Sequence, residues 1–99
     1  MQINIQSVHM QASPALEQLI TKKLNKVFGP YPYVQSARVF LREGSDHHKP
    51  TQEVEIEVHL SNGTLFAKEV SNRFEKSNEQ VIQKLKRQLE KYKAKTYAH

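Results

Sequence analysis

Apolar positions along this chain recur with two periods, and the switches between them mark the elements. Ile3 and Ile5 share one face of an extended segment over residues 2–10. Val8 and Met10 fall on the opposite parity, so the segment carries a bulge near Gln6–Ser7 or ends early. Ser13-Pro14 reads as a helix start, a capping hydroxyl followed by proline at the first helical position. Leu16, Leu19, Ile20, Leu24 and Val27 then keep helical spacing until Gly29-Pro30 stops the helix. Pro30 and Pro32 are expected to hold Gly29–Tyr33 extended.

Alternation returns at Val34–Arg42, with Ala37, Val39 and Leu41 on one face and Arg38, Phe40 and Arg42 on the other. The polar stretch Glu43–Gln52 contains Gly44 and Pro50 and is expected to be a mobile loop. Glu53–Leu60 alternates cleanly: Val54, Ile56, Val58 and Leu60 point one way, and Glu53, Glu55, Glu57 and His59 the other. Asn62-Gly63 signals a hairpin, with Thr64–Val70 as the returning strand. A second helix is predicted from about Asn72 to about Lys95, with Phe74, Val81, Ile82, Leu85, Leu89 and Tyr92 as its apolar seam. The order is β-α-β-β-β-α. An α+β fold follows, a four-stranded sheet with both helices packed on one face and the glutamate row on the open face. Residues 1–99 make one domain, of which 95–99 are expected to be a frayed tail.

Charge changes the picture most in the second helix. Residues 73–99 hold eight Lys/Arg against three Glu, a net +5, whereas residues 1–72 hold seven of each sign and are neutral. On a helical wheel Arg73, Lys84, Arg87, Lys91 and Lys95 share one flank with no acidic residue among them. Glu75, Glu79 and Glu90 go to the other flank with Lys86 and Lys93. Like charges at i,i+4 destabilise a helix slightly, so a compensating partner is expected, and a polyanion would serve. Solvated basic faces that only keep proteins soluble are the bland alternative. Lys22, Lys23 and Lys26 share a flank of the first helix, where the helix dipole already favours cations. With the helices side by side, the two cationic flanks are expected to form one groove wall. Lysines repeating every turn suit positioning on phosphates, and shape is the expected mode for structured RNA.

Catalytic and metal chemistry find little here. The chain has no cysteine, which removes disulfides, thiolate metal sites and Cys nucleophiles. His47-His48 lacks the spacing of a zinc motif, and His9 and His59 have no identifiable proton-transfer partner. The glutamate row reads as the wet face of a half-buried sheet, and three glycines leave no phosphate-cradling loop. Tyr31 and Tyr33 are expected to lid the first helix rather than stack on bases, and Phe40 to shield the sheet. No catalytic residue, metal or cofactor is expected. The apolar runs are too short for a membrane helix, and residues 1–10 do not read as a signal peptide, so the cytoplasm is the expected location.

Gln2-Ile3-Asn4-Ile5, Ser13-Pro14-Ala15-Leu16, Asn62-Gly63 and above all Lys84-Leu85-Lys86-Arg87-Gln88-Leu89-Glu90-Lys91-Tyr92-Lys93 resemble the ribosome hibernation promoting factor family, which includes the ribosome-associated inhibitor of translation. The resemblance implies a β-α-β-β-β-α fold similar to the double-stranded RNA-binding fold. It implies binding to the small ribosomal subunit and its 16S rRNA, between head and body. There the protein would overlap mRNA and the A- and P-site tRNAs, inhibit translation and preserve idle ribosomes in stationary phase or starvation. The RNA-contacting residues it implies are Lys84, Lys86, Arg87, Lys91, Lys93 and Lys95 and, more loosely, Lys22, Lys23 and Lys26. The chain departs from the family pattern at Arg73-Phe74-Glu75-Lys76-Ser77-Asn78, where an acidic-aromatic start and an apolar residue at position 78 are usual. Ser77-Asn78 is therefore expected to weaken packing. The chain resembles a short form, for which ribosome pairing would need a separate dimerising factor. Two rival functions remain at this level: a general binder of structured RNA, and a protein-interaction module using the acidic sheet face or an exposed edge strand.

Overall fold

Six elements follow one another in the computed structural model, which describes residues 1–97: β1 (Gln2–Val8), α1 (Pro14–Phe28), β2 (Val34–Asp46), β3 (Lys49–Leu60), β4 (Gly63–Ser71) and α2 (Phe74–Tyr97). The expected end near Lys95 moves to Tyr97, and residues 98–99 of the expected tail lie outside the described residues. The strands form one sheet in the order β1-β2-β3-β4, with β1 parallel to β2 and the other pairs antiparallel. Alternation sets the register. Ala37, Val58 and Leu65 share one row, and Val39, Ile56 and Ala67 the next, all on the face that the helices cover. Ile20, Leu24 and Phe28 from α1 and Val81, Leu85 and Leu89 from α2 complete a single core. Each such side chain contributes about 1.5–3 kcal/mol relative to exposure.

The ends of α1 follow from local chemistry. Ser13 Oγ accepts from the Leu16 N–H at 3.1 Å, and Pro14 takes the first helical position. Beyond Gly29 the chain is not extended. Tyr31 N–H donates to the Phe28 carbonyl and Val34 N–H to the Tyr31 carbonyl, both at 3.1 Å, giving two consecutive turns. Pro32 sits second in the latter turn, where its fixed φ is favoured.

Of the two readings of the parity slip in β1, the early end holds and the bulge does not: pairing with β2 is unbroken to Val8, and the chain turns away at His9 with φ 55°. Two further expectations are corrected. Glu43–Gln52 is no loop but the distal half of a β2–β3 hairpin, closed by His47 and His48 at φ 50° and 66°. Two consecutive left-handed residues make the turn that matches strand twist, so the backbone pairs although the side chains are polar. At the next hairpin the two-residue loop is Ser61-Asn62, with Gly63 already paired to Leu60, one position earlier than Asn62-Gly63 suggests.

The start of α2 is held by β3. Gln52 Oε1 accepts from the Phe74 N–H at 2.7 Å, and the Ser77 hydroxyl donates to the Gln52 carbonyl at 2.7 Å. Ser77 is thus fully buried and satisfied, and it ties the helix down where weak packing was expected. Asn78 is also fully buried, yet neither its Nδ2 nor its Oδ1 has a hydrogen-bond partner. An unpaired buried amide costs about 1–3 kcal/mol. Asn78→Leu, which keeps the same branching, is therefore expected to stabilise the fold by about that amount. The urea midpoint should rise with an unchanged slope.

α1 is tied to α2 by Lys23 Nζ and Glu79 Oε1 at 2.9 Å. The hydrogen bond from Lys23, and then its charge, hold the Glu79 carboxyl below the usual range. A depressed carboxylate adds stability above its unfolded pKa and loses it as pH falls through the folded value, so this tie weakens on the acid side. Lys23→Gln should return the Glu79 midpoint upward to the ordinary carboxylate range, read by carbon-detected NMR titration. An unmoved midpoint would show that Lys23 is not its cause.

Candidate nucleic-acid interface

The seam of α2 faces the sheet, so its two flanks look in opposite directions. One looks across β4 and the other toward α1. Arg73, Arg87, Lys91 and Lys95 are exposed on the β4 side and form no ion pair among the described residues. Arg87, Lys91 and Lys95 succeed one another at i,i+4, a rise of about 6 Å per step. Lys84 shares that flank but is not free: its Nζ pairs with Glu69 of β4, a half-buried carboxylate on the helix-covered face. The helix supplies no acid on this flank, but the neighbouring strand does.

One turn beyond Lys84, Gln88 reaches the same strand. Its Oε1 accepts from the Phe66 N–H at 2.9 Å, and its Nε2 donates to the Phe66 carbonyl at 2.6 Å. The side-chain amide thereby fills the outward pairing position of Phe66 on an edge strand. Helical periodicity places Gln88 at the border between seam and stripe, but nothing in the sequence says that it meets a strand.

The other lysines lie elsewhere. Lys23, Lys26 and Lys86 line a cleft of ≈ 360 Å³ between the helices, together with Val27, Glu79 and Ile82. Lys26 and Lys86 extend into an adjoining cleft of ≈ 330 Å³ that ends at Tyr31 and Glu90. Lys93 sits 5.1 Å from the Tyr31 ring centroid and 3.8 Å from Glu90 Oε1. Tyr31, Tyr33 and Tyr92 pack in series with centroids 5.7 and 5.6 Å apart, so the tyrosines do close the end of α1 against α2. Lys22 is exposed on the outer side of α1 beside Glu17 and Thr21. The expectation of one groove wall built from both cationic flanks is therefore not met. α1 lies against the mixed flank of α2, and the stripe is on the far side. The nine candidates, eight lysines and one arginine, separate into Lys84, Arg87, Lys91 and Lys95 over β4, Lys23, Lys26 and Lys86 in the clefts with Lys93 at their far end, and Lys22 apart from both.

The open sheet face is not acidic in effect. Arg42 Nη1 bonds Glu53 at 2.8 Å and Glu55 at 3.0 Å. The hydrogen bond to Glu53 does most to raise the Arg42 pKa, partial desolvation opposes it, and Glu55 adds to the rise. Phe40 lies between Arg38 and Arg42, each guanidinium carbon 5.6 Å from its ring centroid, so the ring shields the sheet. Lys68 stands opposite Glu55 in the register. The glutamate row is thus interleaved with cations from both neighbouring strands.

Among the described residues, no group of three or more His, Cys, Asp or Glu could hold a metal ion, and no helix is long and apolar enough to cross a membrane. None of the curated protein sequences compared with the chain matches it. Solved structures do. A ribosomal subunit interface protein from Coxiella burnetii is 26% identical, with a TM-score of 0.83 over 95% of this chain and 99% of that one. The N-terminal domain of Protein Y from Thermus thermophilus superposes with a TM-score of 0.79 over 93% of this chain and 99% of that one, at 19% identity, a likeness of fold. Residues 3–97 match the family model of the sigma 54 modulation protein / S30EA ribosomal protein. With the fold in agreement over nearly its full length, the chain belongs to the sigma 54 modulation / S30EA ribosomal protein family.

Proposed function

We propose that the protein is a ribosome hibernation factor. It binds the small ribosomal subunit near the decoding centre, sets its cationic helix flank on 16S rRNA phosphates and stops translation by occupying the space of mRNA and tRNA. The observation that carries this reading is the row Arg87, Lys91 and Lys95, exposed on one flank of α2 and without an ion pair among the described residues, in a chain of this family. A folded α/β body behind such a row blocks by its bulk, and occlusion requires no chemistry. Lys23, Lys26 and Lys86 present a second cationic surface in the inter-helix cleft, a short distance around the molecule. The ribosome's location makes the cytoplasm the place of action.

The rival use of the sheet face is disfavoured by charge. Arg38, Arg42 and Lys68 offset Glu53, Glu55 and Glu57, so that face offers no net field to a basic partner. The helix side carries the excess.

The test spares Lys84, because reversing it would set two carboxylates against each other at Glu69. Arg87→Glu with Lys91→Glu is expected to keep the fold, by circular dichroism and thermal midpoint, and to lose co-sedimentation with small subunits. Wild-type binding should weaken steeply with salt, and any residual binding of the variant should show a slope shallower by about two, one for each lost phosphate contact. Undiminished binding by the double variant would refute the site. Equal competition by free RNA hairpins would instead indicate a general binder of structured RNA.

A further inference from the structure

The cationic row can meet an rRNA backbone only if α2 is fixed in rotation about its own axis. The packed seam sets which face α2 turns to the sheet, and directional bonds set the fine roll within that packing. Two side chains one turn apart supply them on the β4 side: Lys84 to the Glu69 carboxylate, and Gln88 to both peptide groups of Phe66, at 2.9 and 2.6 Å. Of the two, the Gln88 contact is the more stringent. An amide that donates and accepts against one residue's backbone must lie in the plane of the strand, whereas an ammonium can follow a carboxylate through many orientations.

We propose that Gln88 is a positioning residue for RNA binding: its amide locks the roll of α2 against the β4 edge and so aims Arg87 and Lys91 outward. This rests on the helix flank being the RNA-contacting surface. Gln88 adjoins Arg87 in sequence and lies one turn from Lys84 and nearly one from Lys91, so a roll of the helix at this point displaces the exposed cations Arg87 and Lys91 together. The same amide denies the Phe66 peptide to any other strand. That matters because Phe66 and Val70 are each 47% exposed on this edge strand.

Gln88→Ala removes the lock and leaves every charge in place. Gln88→Glu keeps an acceptor for the Phe66 N–H but loses the donor to the carbonyl, and sets a carboxylate oxygen against it. Gln88→Ala is expected to bind small subunits about tenfold more weakly, the scale of one or two net hydrogen bonds, and Gln88→Glu, which also adds a negative charge beside the cationic row, at least as weakly. For Gln88→Ala, the salt dependence separates positioning from mere destabilisation. Lost aim removes phosphate contacts, so the slope of log K against log salt becomes shallower by about one or two. A destabilised fold lowers only the competent fraction, and its slope stays as in the wild type. In the Arg87→Glu, Lys91→Glu background Gln88→Ala should have little further effect.

Hydrogen exchange at the Phe66 amide shows whether the lock has opened. Faster Phe66 exchange with weaker binding and a shallower slope supports the proposal. Faster exchange with unchanged affinity and slope overturns it, as does weaker binding with a wild-type slope. Failure of the wild-type protein to bind small subunits would instead remove the functional reading on which the proposal stands.

Discussion

The burial of one helical seam decides what every other surface can do. Val81, Leu85 and Leu89 are almost completely excluded from solvent, and Phe74 and Ile82 nearly so. Once they face the sheet, the 100° step of the helix leaves no choice about the remaining positions. Arg87 and Lys91 look out past β4, Lys86 and Glu79 look toward α1, and Gln88 falls at the boundary where it can touch a strand. Polar contacts then trim this placement: Gln52 fixes the beginning of the helix, Lys84 and Gln88 its middle, and the tyrosines the region near Tyr92.

Within that frame, the architecture was legible wherever side chains alternate between core and solvent. Val54, Ile56 and Val58 declare both a strand and its buried face, and Ser13-Pro14 declares a helix start, because burial and capping act through residue type. The distal β2–β3 hairpin was not legible. Glu43–Thr51 has no apolar face to bury, so its pairing comes from backbone groups, which every residue carries alike. Its His47-His48 turn uses residues that reach the left-handed region less readily than Asn-Gly, so the usual signal was missing. Gly29–Tyr33 turns where two prolines suggest an extended chain, because proline restricts one dihedral and leaves the chain free to turn.

Charge shows the same division. The sequence places five cations on one flank of α2 and shows that no acid on the helix meets them. It cannot show that β4 brings Glu69 beneath Lys84, or that the first helix settles on the opposite flank. Both facts depend on how separate elements are laid against one another. Asn78 marks the reverse situation: a side chain whose own polarity favours solvent but whose place on the helical seam buries it among apolar neighbours.

Arg42, bound to two glutamates of the neighbouring strand, has a consequence for how the molecule moves through solution. By cancelling charge within the sheet, it leaves the positive excess lopsided, concentrated at one pole of the particle. A near-neutral sheet has a smaller dipole than bare glutamates would give it, but the centre of charge still lies toward the helices. The field of a polyanion would therefore turn the particle helix side first, with no negative back to be pushed away.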